Sequence, residues 1–519
     1  MTLATLAAAL DISPDPGRLW AAAAVAAAWL ALCGLVALSH WRGARQSAGA
    51  AGRLAAGAGD RAAMLVAFAS QTGFAEEIAW RTADALRAAG TPVRLAPLGQ
   101  LDGAALAVAG RALFVVATTG EGDAPDSAAG FARRVLAGSA PLAGLRYGVL
   151  ALGDRSYAQF CAFGRRLDEW LRRHDATRMF ETVEVDDGDA GALGRWRDHM
   201  AALGAVAQPV EAGGWEPWRL VERRLLNPGS AHPAWHVALA PAAGRASWQA
   251  GDIARIAPGN DPAEVARLLS RLGLDGDAPV DGPDGTATLA RLLGRSVLPV
   301  DADAFAGLDA DATAARLQPL PWREYSIASL PASGRIELLV RGATRPDGRP
   351  GIGSGWLTRW TPIGGEVLLR LRENRAFHPP AGDRPLILIG AGTGLAGLRA
   401  HLQARAATGR RPNWLVFGER SAATDFFHRA EIEGWRSSGA LARLDLAFSR
   451  DQPERVYVQH RLSAAADEVR RWVDRGAAIY VCGSIDSMAP AVADALKAAL
   501  GEERLEHMAA EGLYRRDVY

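Results

Sequence analysis

Two blocks of short apolar runs, each followed by a small-residue loop and an amphipathic stretch, constrain this chain more than any other feature. In the first block the runs are MLVAFAS from Met64, ALFVVATT from Ala112 and YGVLALG from Tyr147. In the second they are RPLILIGAGTG, NWLVFGER and AAIYVCGS. Strands that are apolar throughout and spaced by helical segments predict parallel sheets covered on both faces. Between the blocks, HVALAP, DIARIAP, IELLVRG and EVLLRLR read as strands without intervening helices, so this region is expected to be largely β. The expected fold class is multidomain α/β with a β-barrel in the middle.

The predicted domains are a unit over 64–205, a Gly- and Pro-containing linker over 206–225, a barrel over 226–382 and a second α/β unit over 383–519. A poorly patterned, mostly helical insertion is expected at about 262–318. The chain carries 58 basic and 57 acidic residues, so bulk charge offers nothing to nucleic acid. Its three cysteines, Cys33, Cys161 and Cys482, are too scattered for a disulfide framework or a zinc site. A reducing compartment fits, and no metal site is expected.

Residues 1–42 differ from the rest. Leu19 to Leu38 is an uncharged stretch, LWAAAAVAAAWLALCGLVAL, long enough as a helix to cross a bilayer core of roughly 30 Å. Trp20 and Trp41 flank it. Arg42, Arg45 and Arg53 follow it, which puts the C-terminal bulk in the cytoplasm. A signal peptide would have a basic start and a shorter apolar core. The expectation is therefore a single-pass anchor in the inner (cytoplasmic) membrane, with an Ala- and Gly-rich flexible tether over 43–63.

SQTGFAEEIA, from Ser70, follows the first strand at once. The hydroxyls of Ser70 and Thr72 and the backbone around Gly73 would form an anion site at a helix N-terminus, although an ordinary capped turn uses the same residues. The loops Ala117 to Ala128 and Leu152 to Cys161 leave the same sheet edge. Three loops at one edge suit a planar phosphorylated ligand.

These motifs resemble the flavodoxin-like FMN domain of the NADPH-dependent diflavin reductases. The resemblance implies an FMN phosphate on Ser70, Gln71, Thr72, Gly73, Phe74 and Ala75. It implies the ring between Ala117, Thr118, Thr119 and Gly120 on one side and Leu152, Gly153, Asp154, Arg155, Ser156, Tyr157, Ala158, Gln159, Phe160 and Cys161 on the other. Tyr157 would stack on the ring, and Asp187 would touch the ribityl chain. Two positions depart from the family: Phe74 is large where a small polar residue is common, and Thr119 stands where a second shielding aromatic is found.

REYSIAS resembles the FAD motif of ferredoxin-NADP reductases, implying FAD contacts from Arg323, Glu324, Tyr325 and Ser326. GIGSGWL resembles the second FAD loop, implying Gly351, Ile352, Gly353 and Ser354 at the pyrophosphate. GAGTGLAGLR contains a literal GxGxxG from Gly392. Taken alone it reads as an NAD-type site with Glu419 on the ribose. The reductase family differs, with Pro usual at the Gly397 position and another strand order expected. SRDQPERVYVQH resembles the flavoprotein subunits of sulfite reductase. This implies NADP on Gly392, Thr393, Gly394, Ser449, Arg450, Arg455, Val456, Tyr457, Val458 and Gln459, with Tyr457 and Gln459 alternating on a strand. A hydroxyl and two guanidinium groups suit a 2′-phosphate. A family carboxylate is replaced by Ala491.

The resemblance further implies that Ser326, Cys482 and Asp517 orient the nicotinamide. The final residue, Tyr519, would cover the FAD ring and move aside for hydride transfer, since that family also ends this way. The implied activity is electron transfer from NADPH through FAD and FMN to a haem-containing protein acceptor. A membrane reductase feeding a haem or ferric-iron system, and a non-catalytic tethered interaction protein, are the alternatives. Glu121, Asp123, Asp126, Asp154, Asp186, Asp187 and Asp189 are expected to form an acidic docking rim for that acceptor.

Overall fold

The computed structural model describes residues 63–519 apart from 72, 156, 187, 206–214, 283–284, 300 and 410–411. The expected membrane span over 19–38 and nearly all of the tether lie outside these residues. Among the described residues no helix is long and apolar enough to cross a membrane.

The first sheet contains β1 (Met64–Ala69), β2 (Val93–Pro97), β3 (Arg111–Ala117), β4 (Arg146–Gly153), β5 (Thr177–Arg178) and β6 (Val183–Asp186). All pairings are parallel, in the order β2-β1-β3-β4-β5, with β6 also on β4. The period-2 side-chain alternation explains why β1 is apolar throughout. Leu65, Ala67 and Ala69 enter one core, while Met64, Val66 and Phe68 enter the other. Helix Phe74–Ala88 covers one face through Ile78, Ala79 and Leu86. Helix Ala162–Arg173 covers the other through Phe163, Leu167 and Leu171. Chain order reverses between β1 and β3, which opens a crevice at their carboxyl ends.

The second sheet is antiparallel. Its strands are β7 (Glu216–Leu225), β8 (Ala234–Pro241) and β9 (Ile253–Ala257), then, after an insertion holding the hairpin β10 (Pro279–Gly282) and β11 (Gly285–Thr288), β12 (Arg323–Ser326), β13 (Ile336–Arg341) and β14 (Glu366–Arg372). The order is β12-β9-β14-β7-β8-β13. The two outer strands meet just past β12, where Ala328 N–H donates to Glu337 O at 2.7 Å and Glu337 N–H to Ser329 Oγ at 3.0 Å. Those bonds close the sheet into a barrel around Trp218, Leu220, Val237, Ile256, Leu338 and Val367.

Two expectations change here. The stretch 206–225 was expected to be linker, yet Glu216 onward is β7, with Trp218 and Leu220 buried at strand spacing. The insertion, expected to be mostly helical, also holds the β10–β11 hairpin, whose Val280 packs with Leu269 and Leu293.

The third sheet contains β15 (Leu386–Ala391), β16 (Asn413–Glu419), β17 (Arg443–Phe448), β18 (Ala478–Gly483) and β19 (Tyr514–Val518). It is wholly parallel, in the order β17-β16-β15-β18-β19. Counted along the chain this is 3-2-1-4-5, the order of the first five strands of the dinucleotide-binding fold, so the expected difference in strand order is absent. Tyr457 and Gln459 do not lie on a strand. Tyr457 caps helix Val458–Ala464, because Val458 and Leu462 are buried at i,i+4 spacing. β19 is the edge strand that anchors the C-terminus. Beyond it Tyr519 N–H donates to Gly483 O at 3.1 Å and Ile485 N–H to Tyr519 O at 2.9 Å.

Candidate functional site

The first expected site lies at the carboxyl edge of the first sheet. Among the described residues the buried Ser70 hydroxyl has no hydrogen-bond partner, and Gly73 at φ 89° turns the chain into the helix. A buried hydroxyl without a partner beside exposed helix N–H groups fits a phosphate. Gln71 is committed elsewhere: its amide donates to Asp126 at 3.1 Å and accepts from Asp126 N–H at 3.0 Å. Phe74 opens the helix, and Ala75 is buried beneath it. Thr72, Ser156 and Asp187 lie outside the described residues.

The other two loops converge on this edge. Beyond Ala117, Thr118 N–H donates to Leu152 O at 2.9 Å. Thr119 closes its own turn on Asp123 at 3.0 Å, with Gly120 at positive φ. A Cβ on Gly122 would stand 2.9 Å from Gln159 Cβ, so the loops touch there. Gly153 packs on Cys161, whose backbone N would lie 2.8 Å from an added Cβ. Arg155 lies over Phe160 at 4.5 Å, while Ala158 and Tyr157 are exposed; Tyr157 is 46 % exposed, and its ring is presented outward. Burial pushes the Cys161 thiol up to about 12, so it stays protonated.

The acidic rim is only partly available. Asp126 is ion-paired with Arg516, and Asp186 lies 3.4 Å from Arg155. Asp189 caps helix Ala190–Ala202 by accepting from Ala192 N–H at 2.7 Å. Tyr157 N–H donates to the Asp154 backbone carbonyl at 3.2 Å. Glu121 and Asp123 are exposed. Local sequence could not show this, because Arg516 is supplied by the third sheet.

At the barrel, the two FAD motifs meet. A Cβ on Gly353 would stand 2.6 Å from Arg323 Cγ and 3.2 Å from the Tyr325 hydroxyl. That cradle, open only to glycine, fits the expected pyrophosphate approach. Burial pushes the Tyr325 phenol up to about 12. Glu324 pairs with Arg255 at 2.7 Å and Arg372 at 3.2 Å. Ser354 departs from expectation. Its hydroxyl accepts from Ala343 N–H at 3.0 Å and lies 3.3 Å from Gly351 O, so it holds the loop together. The pyrophosphate side is left to the first-turn N–H groups of Ile352 and Gly353.

Ser326, Cys482 and Asp517 do come together, from β12, β18 and β19. Ser326 Oγ donates to Asp517 Oδ2 at 2.6 Å, and Cys482 Sγ lies 3.8 Å from the same oxygen. All three are buried. Burial raises the Asp517 carboxyl above its ordinary value, against the opposing Ser326 hydrogen bond. Burial also raises the Cys482 thiol well above the usual range. The cluster therefore presents a hydroxyl, a neutral thiol and a carboxyl that holds its proton more readily than an exposed one.

Beside it is a cleft of about 630 Å³. Gly392, Thr393, Ser449, Arg450, Tyr457, Val458, Gln459 and Tyr519 line it. Gly394, Arg455 and Val456 are not in its lining: Gly394 lies under the loop and Arg455 is exposed. Tyr519 is 55 % exposed, and its hydroxyl bonds to Thr393 Oγ1 at 3.2 Å, so its ring reaches toward the cleft. Sequence reasoning missed His232, Arg341, Arg420, Ser484 and Ser487 in the lining. Arg420, Ser484 and Ser487 follow β16 and β18 at their carboxyl ends and could have been found by that rule. Arg341 gave no signal. With Arg341 paired to Glu419, the remaining donors, the Arg420 and Arg450 guanidinium groups, hydroxyls and an amide, fit a phosphorylated ribose.

Glu419 does not fit the NAD-type reading. Its carboxylate pairs with Arg341 of the barrel and accepts from Arg420 N–H at 2.8 Å. Each oxygen already holds a partner and the side chain is 5% exposed, so the carboxylate is not presented openly to a ribose hydroxyl.

Two family models match the chain: Flavodoxin over residues 66–195 and Oxidoreductase NAD-binding domain over residues 388–494. The chain is 30% identical to the sulfite reductase (NADPH) flavoprotein alpha-component of Klebsiella pneumoniae, across 92% of this chain and 93% of that protein. It is 31% identical to the corresponding protein of Vibrio cholerae, across 88% of this chain and 87% of that one. The Salmonella typhimurium protein of the same description is 31% identical, across 87% and 89%.

Proposed function

The chain belongs to the family of sulfite reductase (NADPH) flavoprotein alpha-components, and from that membership we propose that it passes electrons from NADPH through FAD and FMN to a haem-containing protein acceptor. The observation that carries this reading is the buried Ser326–Asp517–Cys482 cluster, built jointly by the barrel and the third sheet. Bound in their sites, the three groups supply a hydride donor, a two-electron acceptor able to release electrons singly, and a one-electron carrier. The protein's part is placement.

Arg323, Tyr325 and the Gly353 cradle hold FAD at the mouth of the barrel. Ser326 and Asp517 fix one another at 2.6 Å and would present a protonatable carboxyl to a bound nicotinamide. Cys482, buried and neutral, would help keep water from that carboxyl. Tyr519, bonded to Thr393 at the cleft, would move aside for the nucleotide. Ser449, Arg450, Tyr457 and Gln459 hold the 2′-phosphate end. The loops Ser70–Ala75, Ala117–Gly120 and Leu152–Cys161 hold FMN. With β7 counted into the barrel, the domain limits of the same reading are 64–205, 216–382 and 383–519.

Heat release of flavin from purified protein tests it. Equal amounts of FAD and FMN are expected, with reduction by NADPH favoured over NADH. FAD without FMN would remove the second carrier and the acceptor chemistry that depends on it.

A second element of the reading is location. The uncharged run over 19–38, followed by arginines, supports a single-pass anchor in the inner (cytoplasmic) membrane, with the catalytic bulk in the cytoplasm. It would favour an acceptor at the membrane, a haem or ferric-iron system. Cell fractionation checks this. The full chain should pellet with membranes and resist carbonate extraction, whereas a chain starting at Ala63 should stay in the supernatant. Equal distribution of the two overturns it.

A further inference from the structure

Glu419 ends β16, where dinucleotide folds that select the unphosphorylated coenzyme carry an acidic residue. In those folds the carboxylate accepts a hydrogen bond from the ribose 2′-hydroxyl, and its charge repels a 2′-phosphate. A cleft that takes the phosphorylated coenzyme has to deal with such a group.

Here the Glu419 side chain is 5% exposed and both of its oxygens are engaged. Oε1 is paired with the Arg341 guanidinium, and Oε2 accepts from Arg420 N–H at 2.8 Å. Arg341 belongs to β13, in another sheet. It is itself held in place: Nη1 donates to His232 O at 2.9 Å, and the guanidinium lies 5.6 Å from the Phe427 ring centre. A Cβ on Gly392 would stand 3.0 Å from Arg341 Nη2 and 3.5 Å from Glu419 Oε1. The ion pair therefore lies directly against the glycine loop that the coenzyme must approach.

We propose that Arg341 is a positioning residue that sets coenzyme preference. By occupying and neutralising Glu419, it lets the cleft accept a 2′-phosphate that the open carboxylate would repel. Arg341 acts through Glu419 and not as a phosphate ligand, so the net positive charge facing the phosphate comes from Arg420 and Arg450. The proposal rests on the NADPH reading above.

Calorimetric titration of the flavin-loaded protein with NADP+ and with NAD+ tests both. The parent should prefer NADP+. Arg341→Gln should lose about tenfold or more in NADP+ affinity, the scale of one like-charge contact, while NAD+ affinity holds or improves. In steady state the loss should appear in KM for NADPH. The double variant Arg341→Gln/Glu419→Gln, which removes both charges, should recover the parental preference to within about threefold. A preference that survives Arg341→Gln overturns the proposal alone. So does a double variant as weak as the single. A parent without preference sinks the NADPH reading and this proposal with it. If Arg341→Gln loses its flavin, the double variant carries the test: retained preference supports the proposal and lost preference overturns it.

Discussion

Asp517→Asn is expected to slow NADPH-dependent flavin reduction on the order of 100-fold, within the range for a group that handles a proton or charge at the reacting centre. Both flavins should stay bound. The reason is geometric: one carboxylate oxygen organises the Ser326 hydroxyl at 2.6 Å and the Cys482 thiol at 3.8 Å. Asn keeps the shape and an acceptor oxygen but cannot gain or lose a proton. Single-turnover stopped-flow absorbance reads the step directly, and an unchanged rate would remove Asp517 from the chemistry.

The same substitution should stabilise the protein. Burial raises the Asp517 carboxyl above its unfolded value. The stability such a group contributes is complete below the unfolded value and is lost as pH rises through the folded one. Above the unfolded value the native state must therefore either hold a proton on this carboxyl or bury its charge, a cost that Asn lacks. The variant should melt higher than the parent at pH 8, with the margin shrinking toward pH 4. A variant that melts lower at pH 8 would mean that Asn leaves the Ser326 hydroxyl without a good partner. Activity lost together with stability gained marks a functional site.

Gly394→Ala has the second large expected effect. An added Cβ would lie 2.0 Å from Cys482 O, 2.5 Å from Cys482 C and 2.8 Å from Gly483 Cα. All three are backbone atoms that cannot rotate away, so β18 itself must shift. The cost is about 3 kcal/mol or more, at the upper end for overpacking. Because Cys482 sits opposite Asp517 in the β18–β19 register, the shift should disrupt the hydride site and weaken NADP+ binding at least tenfold. Gly397→Ala is the internal control. Its Cβ would meet the Phe377 ring edge at 3.1 Å and Cys482 Sγ at 3.6 Å, both side-chain atoms able to adjust. Calorimetric NADP+ binding of the two variants separates the cases, and equal, small effects would show that the Gly394 contact is not limiting. Gly394 was expected to face the nucleotide; the structure makes it a packing residue beneath the loop.

What could be read from the sequence was what is local. Strands buried on both faces are apolar at every position, so β1, β3, β4, β15, β16 and β18 announced themselves. Loops at the carboxyl ends of those strands were equally visible, because small and hydroxyl residues there have a backbone reason. β17 and β19 were missed because edge strands are half solvated: Arg443, Asp445, Arg515 and Arg516 break the apolar pattern. Tyr457 was misassigned because two valines two apart fit a strand as well as the start of a helix, and only the buried pair Val458 and Leu462 settles which.

The sequence by itself determined the three sheets, the cofactor loops and the order in which they occur, since each rests on residues within a few positions of one another. Only the tertiary structure decided which polar groups are free to act. Asp126 is taken by Arg516, Glu419 by Arg341, Ser354 by Ala343, and Ser326 by Asp517. Three of these four partnerships join different domains, and an ion pair or hydrogen bond leaves no periodic trace in the chain. The fate of a charge depends on what folds against it.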